Sequence, residues 1–247
     1  MIINVITIFP DIIDSFKETG FIKRAIEKNI LFINVINLRD FSVNKHKKVD
    51  DKPFGGGPGM VLQYEPIKEA LLSIENKSNE KQRIIYLSPQ GKALTQKKFD
   101  FLSKQKNITL LCGRYEGVDQ RVLDHLVDEE VSLGDYVISG GEVPSMVIME
   151  GVCRLLEGAI DDEESIKQDS FQENLLDHPH YTRPEVINDK RVPEVLLKGN
   201  HLEINKWRRK QALGVTWRKR PELLKKVKLS KEDDKLLRDY KSEFEET

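Results

Sequence analysis

Short apolar, β-branched runs alternate with segments of helical period through the first two-thirds of the chain. Residues 2–8, 31–37, 83–88, 107–112 and 129–133 have the length and the Val/Ile/Leu content of strands, and the stretches near 11–28, 65–75, 94–104 and 118–127 repeat at helical spacing. That alternation predicts an α/β domain on a mainly parallel sheet. Segment 142–157 is apolar nearly all round, through Val143, Met146, Val147, Ile148, Met149, Val152, Leu155 and Leu156. A helix without a polar face is buried on both sides, in a core or against another subunit. After Gly158 the character changes. Residues 160–174 carry Asp161, Asp162, Glu163, Glu164 and Asp169 with few apolar anchors, which predicts a mobile linker, and from about 177 the pattern is loop and then helices. The expected division is an α/β domain at 1–159, a linker at 160–176 and a small helical domain at 177–247.

A chain of 247 residues can bury one good core plus a small satellite domain. The opening run from Met1 to Phe9 is apolar but stops at Pro10-Asp11. It is too short to span a bilayer and has no basic flank before it, so it reads as a buried strand and not as a signal peptide. Cys112 and Cys153 lie 41 positions apart with no CxxC spacing. Neither a disulfide framework nor a zinc site is expected, and a reducing cytoplasm fits. The net charge of -1 excludes little, but its distribution is uneven. Lys206–Lys228 holds ten Lys/Arg against Glu222, a balance of +9 that leaves -10 elsewhere, and it encloses Trp207 and Trp217. The plain reading is a solvated basic helix; basic density interleaved with aromatics also fits a surface that binds phosphates.

The usual nucleotide motifs are missing. No G-x-G-x-x-G joins a strand to a helix, and Gly91-Lys92 lacks the rest of a P-loop. Instead, three strand-to-loop junctions are rich in Gly and Pro: Tyr86-Leu87-Ser88-Pro89-Gln90-Gly91, Leu111-Cys112-Gly113-Arg114-Tyr115-Glu116-Gly117, and Ser132-Leu133-Gly134-Asp135-Tyr136-Val137-Ile138-Ser139-Gly140-Gly141. Each alone reads as a turn. Three in succession, at the carboxyl edge of a parallel sheet, suggest a ligand held mainly by backbone. A fourth cluster, Phe54-Gly55-Gly56-Gly57-Pro58-Gly59-Met60, follows the charged run Lys45–Asp51. It reads as a surface loop or as a clamp for a flat substrate such as a base.

The strings DDKPFGGGPGM, YLSPQGKALTQ, LCGRYEGVDQRV, VSLGDYVISGGEVPSMVIMEG and DSFQENLLDHPHYTRPEV resemble, in the same order, the motifs of the bacterial tRNA (guanine-N1)-methyltransferase family. The resemblance runs from Phe9-Pro10 to Arg220-Pro221; Leu133 and Ile138 are conservative departures, and the C-terminal tail is more acidic than in the family. The family belongs to the SPOUT class. Its resemblance implies S-adenosylmethionine as methyl donor, bound in a deep trefoil knot near the end of the α/β domain, a departure from the general absence of knots. It implies cofactor binding by Tyr86, Leu87, Ser88, Pro89, Gly113, Ser132, Leu133, Gly134, Asp135, Tyr136, Val137, Ile138, Gly140, Gly141 and Pro144. It implies Asp169 as the base that removes the guanine N1 proton and Arg154 as the cation for charge growing on O6. Glu116 would arrange Arg154 or a Mg²⁺ ion. Asp50 and Gly59 would contact the guanine, while His180, Tyr181 and Arg183, with the basic stretch, would grip the anticodon arm. The implied assembly is a cytoplasmic homodimer with its site at the subunit interface, methylating guanosine 37 of tRNA.

Two rivals stand beside that reading. Another SPOUT methyltransferase would act on ribosomal RNA or a ribose hydroxyl, against which the Asp169 segment and Asp50–Met60 argue. A non-catalytic RNA-binding protein would have lost Arg154 or Asp169, and both are in the sequence.

Overall fold

The computed structural model describes residues 1–75, 82–160, 169–171 and 173–245, and the chain divides into two compact units, Met1–Glu163 and Glu164–Thr247. In chain order the first unit runs β1 (Ile2–Thr7), α1 (Pro10–Lys17), α2 (Gly20–Glu27), β2 (Phe32–Asn37), the short pair β3 (Asp50–Asp51) and β4 (Val61–Leu62), then α3 (Tyr64–Glu75), β5 (Arg83–Ala93), α4 (Gln96–Ser103), β6 (Asn107–Cys112), α5 (Gln120–Leu126), β7 (Glu129–Ser132) and α6 (Glu142–Cys153). Five strands form one parallel sheet in the order β2-β1-β6-β5-β7. They are the five expected ones.

Period-two alternation sends neighbouring side chains to opposite faces. Ile85 and Leu87 of β5 join Ile3, Val5, Ile108 and Leu110 against Ile148, Met149 and Val152 of α6. Ile84 and Tyr86 face the other way, with Ile6 and Leu111, against Ile67, Ala70 and Leu71 of α3 and Val122 of α5. Both faces are covered, which is why the strands read as near-continuous apolar runs. Asn4 is buried between strands but fully partnered, donating to Asn107 (2.9 Å) and Thr109 (3.3 Å) and accepting from Asn34 (2.9 Å).

Two elements differ from expectation. The helix expected over 11–28 is two helices, because the chain turns at Glu18-Thr19 and Gly20 supplies a left-handed step (φ 56°). Strand β5 does not stop at Ser88: Leu87 and Lys92 both pair with Val131, so residues 88–91 form an excursion and the strand then resumes. A Cβ on Gly91 would lie 2.4 Å from the Val131 nitrogen, so this return past β7 requires glycine.

The second unit contains the hairpin β8 (Val186–Ile187) and β9 (Lys190–Arg191), then α7 (Glu194–Leu197), α8 (His201–Lys219), α9 (Pro221–Leu224) and α10 (Lys231–Glu245). Asn200 caps α8, its side chain accepting from the Leu202 and Glu203 N–H groups. Leu175, Leu213 and Leu237 form a small core with Trp217 and Leu236 against it. Helices α8 and α10 approach closely at Gly214, where a Cβ would lie 2.3 Å from the Tyr240 ring. The expected linker falls partly on 161–168 and 172, outside the described residues. Its far end holds Leu175 in the core, and the Leu176 N–H donates to the Thr216 hydroxyl (2.8 Å). Among the described residues, no helix is long and apolar enough to cross a membrane.

Candidate functional site

Because the five strands run parallel, the ends of β1, β5, β6 and β7 share one edge, and the Gly/Pro junctions leave from it. They enclose a cavity of about 360 Å³, within the range of small-molecule sites. Tyr86, Leu87, Ser88 and Pro89 line it from the first junction and Gly113 from the second. Ser132, Leu133, Gly134, Tyr136, Val137, Ile138, Gly140, Gly141 and Pro144 line it from the third. Asp135 does not; it is exposed and off the wall, because the chain reverses there, with the Tyr136 N–H donating to the Gly134 carbonyl (2.9 Å).

Backbone contacts hold the walls. The Gly141 N–H donates to the Gly113 carbonyl (2.9 Å), and a Cβ on Gly141 would lie 2.6 Å from the Cys112 Cα. Glycine is therefore needed for the second and third junctions to meet. The Ser132 hydroxyl accepts from the Gly134 N–H (3.1 Å) and donates to its carbonyl (3.2 Å), fixing the turn that follows β7. Burial, reinforced by the nearby charge of Glu130, pushes the Tyr86 phenol up to about 12, so its hydroxyl stays protonated at neutral pH.

The fourth glycine cluster is an exposed surface loop over 54–59, anchored only at its far end. It forms the tip between β3 and β4, whose register sets Asp50 opposite Leu62. The Glu116 N–H donates to the Met60 carbonyl (3.0 Å) and the Leu62 N–H to the Gly117 carbonyl (2.9 Å), tying this hairpin to the second junction. Gly59 lies against the Glu116 side chain, where a Cβ would sit 2.3 Å from a carboxylate oxygen. Gly55, Gly56, Gly57 and Gly59 all have left-handed φ of 80–112°, a backbone L side chains rarely adopt. Gly59 and Glu116 thus meet at the cavity, which Glu116 lines, whereas Asp50 is paired with Leu62 and does not line it. Arg154, at the C-terminal cap of α6, is half-buried and does not line the cavity.

The remaining candidates lie in the second unit. Asp169 lines a smaller cavity there with Asp177, His178 and Arg208. His180 (70% exposed) points an imidazole nitrogen at Asp177 (2.8 Å), Tyr181 is exposed near Trp207, and Arg183 is exposed. The basic stretch divides. Arg209 bridges Asp233 (2.7 Å) and Glu173 (2.6 Å), Lys210 holds Glu243 (2.8 Å), and Arg220 holds Glu222. Lys219, Lys225, Lys226 and Lys228 are exposed. Trp217 packs into the core with Phe244 edge-on (6.1 Å), so it belongs to the interior and not to an aromatic surface.

The family model described as tRNA (guanine-1)-methyltransferase TrmD matches residues 1–226. The chain belongs to that family. It is 50% identical over 246 residues to the tRNA (guanine-N(1)-)-methyltransferase of Buchnera aphidicola subsp. Baizongia pistaciae, covering 99% of this chain and 98% of that protein. It is 47% identical to the proteins of that name from Pseudomonas putida (strain W619), covering 99% and 98%, and Vibrio campbellii, covering 98% of each.

Within this methyltransferase family member, one buried network was not anticipated. Glu142, the first residue of α6, is 1% exposed. Its carboxylate accepts from the Thr7 hydroxyl (2.6 Å) and from the Arg114 guanidinium (Nε 2.9 Å, Nη2 2.8 Å). Arg114 also lies over the Phe9 ring (4.5 Å) and pairs in backbone register with Gly140. These contacts join the end of β1, the second junction and the start of α6 behind the cavity. The signal in the sequence was an acid opening an apolar helix, immediately after Gly140-Gly141.

Proposed function

We propose that the chain transfers a methyl group from S-adenosylmethionine to N1 of the guanosine at position 37 of tRNA, just 3′ of the anticodon. The carrying observation is that three Gly/Pro junctions of a methyltransferase-family chain line one cavity at the carboxyl edge of its sheet. The lining suits such a donor: Leu87, Val131, Leu133 and Pro144 offer apolar walls for a flat base, and backbone at Gly113, Gly140 and Gly141 is open to polar groups. Bound there, S-adenosylmethionine would supply an activated methyl group on a sulfonium. The chain's own task is then to hold the acceptor in line and to make N1 nucleophilic.

Guanine N1 carries a proton at neutral pH. Asp169 would accept it, and Arg154 would stabilise the negative charge then gathering on O6. Asp50 and Gly59 would seat the base, while His180, Tyr181, Arg183 and the exposed lysines after Arg218 would hold the anticodon arm. Glu116 would offer one carboxylate to Mg²⁺, the other ligands being water and substrate oxygens. The reading places the family's trefoil knot at these three junctions. It joins two copies through α6, where Val143 and Val147 expose 54% and 41% of their surface one turn apart. The test is methyl transfer to two tRNA transcripts differing at position 37. Transfer to the G37 transcript at N1, with none to A37, is expected. Equal transfer to both, or a methyl on ribose, would reject the assignment.

A further inference from the structure

We propose that Asp177, His178 and His180 form a binding site for a divalent transition-metal ion of the zinc class. One donor atom from each of the three lies within 4.8 Å of the others. The deciding atom is His178 Nε2. It is buried and, among the described residues, has no hydrogen-bond partner, in a side chain only 9% exposed. The ring's tautomer follows from its other nitrogen, which lies 3.2 Å from the Pro179 carbonyl. A carbonyl only accepts, so Nδ1 carries the proton and Nε2 presents a lone pair. That lone pair faces a carboxylate oxygen of Asp177 at 3.8 Å. That oxygen also accepts from the His178 N–H (2.7 Å), but an acceptor oxygen set against a buried, unpartnered lone pair still leaves room for a cation between them.

The geometry suits one. Donors roughly 2.0–2.1 Å from a tetrahedral ion stand about 3.3 Å apart, close to the His178–Asp177 separation. His180 Nε2 is 2.8 Å from the second Asp177 oxygen, and this exposed ring has room to turn and exchange that hydrogen bond for a metal bond. Pro179 fixes the backbone between the two imidazoles, whose centroids are 4.4 Å apart. The Nδ1–H to carbonyl bond is the outer-shell contact that orients metal-binding histidines. Asp169 and Glu173 line the same cavity and favour a cation; Arg208 opposes it, and Arg209 is held by Asp233 and Glu173. Two imidazoles and one carboxylate select Zn²⁺, Co²⁺ or Ni²⁺ over Mg²⁺ or Ca²⁺. Bound metal would pin the segment carrying His180, Tyr181 and Arg183, with a fourth position left for water.

The test is cobalt titration of the untagged, full-length, chelator-treated chain, read by visible absorption. One equivalent of tetrahedral Co²⁺ without sulfur bands is expected, displaced by Zn²⁺ and not by excess Mg²⁺. His180→Ala, at an exposed position that leaves the fold intact, should weaken binding at least tenfold, and Asp177→Asn should do the same. No cobalt spectrum, thiolate bands, or unchanged affinity in His180→Ala would each overturn the site. None of these readings depends on methyl transfer, so the metal site and the proposed reaction can fail separately.

Discussion

Replacing Glu142 with Gln keeps the side chain's shape and removes its charge, so it measures what the buried pair with Arg114 does for the cavity. Breaking a fully buried ion pair by neutralising one partner costs about 3–5 kcal/mol, because the other charge is left uncompensated. Arg114 keeps 18% of its side chain exposed, so water takes up part of that charge and about 2–3 kcal/mol is the better figure. For a unit of this size each kcal/mol lowers the melting temperature by about 2–4 °C, giving a fall of about 4–12 °C. The binding consequence is separate. Arg114 and Glu142 hold the strands of backbone that meet at Gly113 and Gly141, and loosening that contact should weaken S-adenosylmethionine about tenfold, or about 1.4 kcal/mol. The assays are thermal unfolding and calorimetric titration on Glu142→Gln, Arg114→Met and a double Glu142→Met/Arg114→Met variant. The double variant replaces a buried pair with apolar side chains and should recover part of the stability while binding stays weak. Additive losses in the double variant, with cofactor affinity unchanged in Glu142→Gln, would refute the reasoning.

Three further outcomes follow from individual residues. Asp169→Asn should leave cofactor binding nearly intact and slow single-turnover methyl transfer by about 10²–10⁴-fold, the usual worth of a general base; near wild-type turnover would remove it from that role. Neutralising Lys219, Lys225 and Lys226 together should flatten the slope of log tRNA affinity against log salt by about two to three units with no change in cofactor affinity; an unaltered slope would make them a solvated face. The Arg209 guanidinium holds Asp233 below the usual carboxylate range. A depressed folded value stabilises fully above the unfolded one, about 3.9, and that stability is lost as pH falls through the folded value. Melting of the wild type should therefore drop below about pH 4, and Asp233→Asn should flatten that drop; parallel curves would show the pair to be irrelevant to acid stability.

What was legible in the sequence tracks the range of the interaction. The five strands announced themselves because a sheet covered on both faces demands unbroken apolar runs, and Ile84–Leu87 or Ile108–Cys112 have few other uses. Two of the three junctions were legible as glycine and proline at strand ends, and the remaining one, Tyr86–Gly91, as a Pro/Gly break that the structure places inside β5; parallel topology gathers them at one edge. Breaks and turns set by single residues were harder. The step at Gly20 hides inside a helical pattern. The hairpin at Val186–Arg191 depends on Asn188 and Asp189 taking left-handed φ of 49° and 62°, a two-residue turn signal easily read as loop.

Charges were the least legible, since a charge's meaning lies in its partner. In Lys206–Lys228 the count of ten cations is fixed by sequence, but which of them face solvent depends on α10 bringing Asp233 and Glu243 against α8. Arg209 and Lys210 are spent holding the second unit together, whereas the lysines from 219 onward lie past the reach of those acids. The same logic runs in reverse at Glu142. Placed at the start of an apolar helix, it reads as a solvated first-turn acid that favours the helix dipole. Its burial follows only once β6 delivers Arg114 and β1 delivers Thr7 to the same edge, residues 28 and 135 positions away in sequence. An acid with long-range partners on two elements, set behind the place where Gly113, Gly140 and Gly141 bring two junctions together, supplies the rigidity that those glycines cannot.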